Sequence, residues 1–129
     1  MKRSILSIGV ALALSTVSFA QEMGNYTFIN KSNKPHQFTV YTPKEEVSGG
    51  LAVYSASVNV PASKNGKLAK SSGVIPLNTD DFYATYIVEH HTHPEGPKHT
   101  VHSGANLKQD HYNLECEIGT NHISTCKTR

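Results

Sequence analysis

The feature that most constrains the fold is the brevity of the apolar pattern. Beyond residue 20, short stretches alternate polar and apolar residues and stop at clusters of Pro, Gly, Asn and Ser, with no sustained 3.6-residue period. A helix must bury a stripe that runs over several turns, whereas a strand needs only two or three inward residues. The chain is therefore expected to be all-β. Residues 26–29, 36–42, 51–60, 74–77, 82–93, 112–118 and 122–126 read as strands. Pro43 is expected to stop the second, and Pro76 to push the fourth to a sheet edge. In residues 51–60 the inward set is Ala52, Tyr54, Ala56, Val58 and Val60. Residues 61–73, rich in Lys, Ser and Gly, read as a long exposed connection.

Short strands at this spacing predict a small antiparallel β-sandwich, with a closed β-barrel as the alternative. A length of 129 residues supports one core, and the lack of a fixed internal period excludes a propeller or solenoid. The domain is expected over residues 21–129. The first twenty residues have a different character. Lys2 and Arg3 precede a short apolar run and then the small residues Ser18 and Ala20, the three-part pattern of a cleaved signal peptide. The run is too short to span a bilayer, and no second one follows. The mature chain is thus expected to be secreted or periplasmic, with no membrane span.

Charge narrows the partners. Removing Lys2 and Arg3 from the twelve basic residues balances the ten acidic ones, so the mature chain is neutral before its eight His are counted. A neutral chain lacks the basic footprint that nucleic acid requires. Two Cys fit an oxidising compartment. Cys116 and Cys126 flank a segment with Gly119-Thr120-Asn121 as turn chemistry, and a hairpin there would bring them together as a disulfide.

Six of the eight His fall between positions 90 and 111. On a strand, Glu89, His91 and His93 share one face, expected to be the exposed one, while Phe82, Ala84, Tyr86 and Val88 form the buried face. Two imidazoles at this spacing can share a tetrahedral ion. The turn Pro94-Glu95-Gly96-Pro97 would fold His99 and His102 back beside them. The candidate metal ligands are therefore Glu89, His91, His93, His99 and His102, for Zn or Cu. His36 and His122 stand in distant segments and are expected to lie outside this site.

His91-Thr92-His93 resembles the first metal-binding motif of cupins, and residues 94–99 resemble the second. Glu95 follows the pair too early, and the second motif begins without an intermotif region, so membership is not inferred. Ser48-Gly49-Gly50 with Tyr54 resembles the inhibitory loop of periplasmic lysozyme inhibitors, but the Cys placement does not follow that family. No nucleophile elbow, P-loop or zinc-protease helix occurs, and no catalytic residue is assigned. Three functions remain open. The first is a small exported binding module acting on a protein partner, of inhibitor, immunity or effector type. The second is a His-cluster protein binding a divalent metal ion, and the third is a metal-dependent enzyme.

Overall fold

The structure, a computed structural model, describes residues 22–44, 52–79, 84–90, 99–101 and 105–129, with backbone only for residues 99–101. The expected signal peptide and its cleavage point lie outside these residues. Among the described residues there are eight strands: β1 (Met23–Asn30), β2 (His36–Lys44), β3 (Ala52–Val60), β4 (Ala69–Pro76), β5 (Tyr86–His90), β6 (His99–Val101), β7 (Asn113–Ile118) and β8 (Ser124–Thr128). The described residues contain no helix, and none long and apolar enough to cross a membrane. The described residues are all-β, as their alternation predicts.

Two four-stranded sheets form, in the orders β4-β1-β7-β8 and β3-β2-β5-β6. The second is antiparallel throughout. The first is mixed, because β1 and β7 run parallel with Phe28 opposite Cys116. This corrects the expectation of a wholly antiparallel fold. Strands far apart in sequence need no tight hairpin, so nothing in the local pattern fixes their relative direction. Among the described residues no ladder joins one sheet to the other, so the barrel is not closed.

The inner faces of both sheets feed one core. Phe28 of β1 and Phe38 of β2 are fully buried, with ring centroids 4.8 Å apart, and Val40, Val58, Val60, Ile75, Ile87, Leu107, Leu114 and Ile118 surround them. Truncating either Phe to Ala would cost about 3–5 kcal/mol, enough to loosen one sheet from the other. β3 buries the face its alternation predicts, with Val58 and Val60 enclosed and Tyr54 and Ala56 packed against the core.

Three local expectations change. Residues 61–73 are not all connection, because β4 begins at Ala69 and pairs with β1 over its whole length. Its Lys and Ser side chains need no apolar alternation, since an edge strand can be held by backbone hydrogen bonds while one face stays wet. Asn65 and Gly66, at φ of 53° and 77°, make a tight turn closed by reciprocal Lys64–Lys67 backbone bonds. β2 continues through Pro43, which lies beyond Tyr41, the last β2 residue paired with β5.

The third change concerns β5. Ile87 and Glu89 face inward, and Tyr86 is 39% exposed, the reverse of the expected phase. Tyr86, Ile87 and Val88 are consecutive apolar residues, so either face could be buried. Pairing with both β2 and β6 decides it.

Candidate functional site

Glu89 marks the site because a buried carboxylate must be paired and hydrogen-bonded to remain charged. It is 6% exposed near the end of β5. Its Oε1 accepts a hydrogen bond from Ser124 Oγ at 2.9 Å, and its Oε2 lies 2.7 Å from His36 Nδ1. His36 belongs to the same sheet, while Ser124 opens β8 in the other. The carboxylate therefore ties the two sheets together at one end of the core. The carboxylate takes the Nδ1–H of His36, and in that tautomer the ring presents an Nε2 lone pair. That nitrogen meets His122 Nδ1 at 3.3 Å. The two ring planes lie 25° from parallel with centroids 5.5 Å apart.

Both arms of this arrangement are held rigidly. His36 follows the β1–β2 loop, which Asn30 anchors from within the core. Asn30 is fully buried, donates from Nδ2 to the carbonyls of Lys34 and Pro61, and accepts from Ser32 N–H, at 2.8–2.9 Å. An Asn with its amide hydrogens and oxygen all engaged stabilises a buried loop rather than destabilising it. His122 sits in the β7–β8 turn at φ 67°, the left-handed region where His is tolerated better than most residues. Within that turn His122 N–H donates to the Gly119 carbonyl and Gly119 N–H to the Ile123 carbonyl, and Asn121 Oδ1 accepts from Ile123 N–H. Directly below, Cys116 and Cys126 face each other across β7 and β8 and are joined as the expected disulfide. A loop of this size is stabilised by about 3 kcal/mol on the chain-entropy account.

The structure distributes the predicted ligands differently from the sequence reading. Glu89 is inward and engaged by His36 and Ser124, not displayed on an exposed face. His99 lies directly opposite Glu89 in the antiparallel β5–β6 ladder, while the expected turn at residues 94–97 lies outside the described residues. His91, His93 and His102 lie outside the described residues. His36 and His122, expected to stand apart, come together beside Glu89. The missing signal was tertiary, since these residues are separated by 53 and 86 positions. Among the described residues, no group of three or more His, Cys, Asp or Glu side chains is arranged to hold a metal ion.

His90 and His111 serve elsewhere. His90 Nε2 hydrogen-bonds Thr39 Oγ1 at 2.7 Å on the outer face of β2 and β5. His111 lies 3.2 Å from Asp110, and its hydrogen bond, with backbone and Lys108 contributions, holds that exposed carboxyl below its ordinary range.

A second feature is the contrast between the two outer sheet faces. On the β4-β1-β7-β8 sheet the outer face carries Lys70, Glu115, Glu117 and Lys127, with ion pairs from Lys31 to Glu117 and from Arg129 to Glu115. The outer positions of β3, β2 and β5 carry no Asp, Glu, Lys or Arg. β3 presents Ser55, Ser57 and Asn59, β2 presents Gln37, Thr39 and Tyr41, and β5 presents Tyr86, Val88 and His90. Tyr41 and Tyr86 are cross-strand partners, stacked with centroids 4.7 Å apart and planes 16° from parallel.

No protein-family model matches the chain, and no match was found among curated proteins or solved structures.

Proposed function

We propose that the chain is a small exported β-sandwich binding module that engages a protein partner through the outer face of β3, β2 and β5. The carrying observation is the uncharged surface built around the Tyr41–Tyr86 stack. Protein interfaces are depleted in charge at their centres and enriched in aromatic residues. Tyr with Ser and Thr is the combination that supplies large contact area at low entropic cost and adaptable hydrogen bonds. The opposite sheet face bears the charged, ion-paired character of an ordinary solvated surface. The disulfide accords with export, because such bonds persist in oxidising compartments. The partner's matching surface is largely uncharged, with aromatic, amide and hydroxyl groups.

The test is site-specific photocrosslinking in the exporting cell, with a photoreactive phenylalanine at position 86 or, on the opposite sheet, at position 127. The reading expects one saturable adduct from position 86, none from position 127, competed by excess wild-type protein but not by a Tyr41→Glu variant. Equal capture at both positions, or competition by Tyr41→Glu at full strength, would overturn it.

A further inference from the structure

We infer that His36 Nε2 and His122 Nδ1 form a two-histidine site for a tetrahedral divalent cation, Zn²⁺ by its chemistry, with Glu89 orienting the first ligand. Zinc–nitrogen bonds of about 2.0–2.1 Å at a tetrahedral angle place two ligand nitrogens about 3.3–3.4 Å apart. The two ring nitrogens face each other 3.3 Å apart, the span that two ligands of one such ion require, so a modest turn of either ring brings both lone pairs onto one ion.

The surroundings supply what a zinc histidine needs. A ligating imidazole usually donates its other N–H to a carboxylate, which fixes the ring and raises its basicity. Glu89 Oε2 occupies that position on His36 at 2.7 Å, and Ser124 holds the other carboxylate oxygen at 2.9 Å. Glu89 is thus a positioning residue and not a ligand. His36 already presents its Nε2 lone pair. His122 ligates through Nδ1 in its Nε2–H tautomer. A left-handed backbone at His122, in a turn stapled by the Cys116–Cys126 bridge, preorganises the second ligand. Both Cys are in that bridge, so no thiolate competes for the ion.

Two protein ligands leave two coordination positions to water, and His122 is exposed, so the ion would exchange readily with solvent. The site lies at the sheet ends and uses inward-facing residues of β2 and β5. It is therefore independent of the outer docking face, and either reading can fail without the other.

The experiment uses the exported chain purified without a His tag. Zn²⁺ is titrated by calorimetry and by ring-nitrogen NMR, which reports each histidine separately. Binding of one equivalent is expected, with the largest shifts at His36 Nε2 and His122 Nδ1. His122→Asn keeps a residue suited to the left-handed backbone and removes the ligand, so affinity should fall at least tenfold. Glu89→Gln should weaken binding about tenfold while leaving the stoichiometry at one. Ring shifts confined to other histidines, or full affinity in His122→Asn, would overturn the site. The wild-type NMR titration decides the matter even if a variant folds poorly.

Discussion

Replacing Glu89 by Ala tests whether the carboxylate is a buried cross-sheet tie. The side chain is 7% exposed and accepts from Ser124 Oγ and His36 Nδ1. The intact pair adds little net stability, because desolvating a carboxylate offsets much of its attraction to a partner. Removing one side is different. Ala leaves the Ser124 hydroxyl and the His36 N–H without their acceptor and opens a void between the sheets. Losing two hydrogen bonds to a charged acceptor, with their buried donors left unsatisfied, costs about 3–5 kcal/mol. With a urea slope of about 1.5 kcal/mol/M, the unfolding midpoint should fall by about 2 M or more. Glu89→Gln separates hydrogen bonding from volume. Its carbonyl still accepts from Ser124, and its amide can donate to His36 Nδ1 once that ring changes tautomer. Its cost is the lost charge assistance, about 1–2 kcal/mol. Both variants should be unfolded in urea at neutral pH, on metal-free protein with the disulfide intact. An Ala variant within about 0.5 kcal/mol of wild type would mean a hydrated carboxylate, and the tie would be withdrawn. Equal losses for Ala and Gln would assign the effect to charge alone.

Intact-mass measurement of exported protein should show the chain starting at Gln21 and two hydrogens fewer than the dithiol, and Cys116→Ala with Cys126→Ala should lower stability by about 3 kcal/mol. Asn30→Ala should cost about 2–4 kcal/mol by calorimetric melting, since it orphans two carbonyls and one N–H around a buried loop. Tyr86→Ala should cost only about 1 kcal/mol, the worth of an aromatic pair on an exposed face, yet fail as a competitor of the adduct captured from position 86. His111→Ala should raise the Asp110 carboxyl towards its ordinary value in an NMR titration, because the His111 hydrogen bond is the main cause of its depression. A carboxyl depressed in the folded state stabilises at pH above the unfolded value, and that contribution disappears as pH falls through the folded value.

The alternation of residues 51–60 determined by itself which face of β3 is buried, because one set is apolar or aromatic throughout while the other carries Ser55, Ser57 and Asn59. The two Cys and the turn chemistry between them likewise determined the β7–β8 hairpin and its bridge, which are local in sequence. Pro76 placed β4 at an edge for the same local reason, a missing N–H. Other features were decided only when the sheets assembled. Tyr86, Ile87 and Val88 are all apolar, so the phase of β5 was settled by its neighbours on both sides, and that phase carried Glu89 inward. The parallel pairing of β1 with β7 joins segments nearly ninety positions apart, where no turn dictates direction. His36, Glu89, His122 and Ser124 carry no shared motif. They meet because a carboxylate inside a two-sheet core must find donors from whichever strands end beside it, and strand periodicity does not encode that requirement.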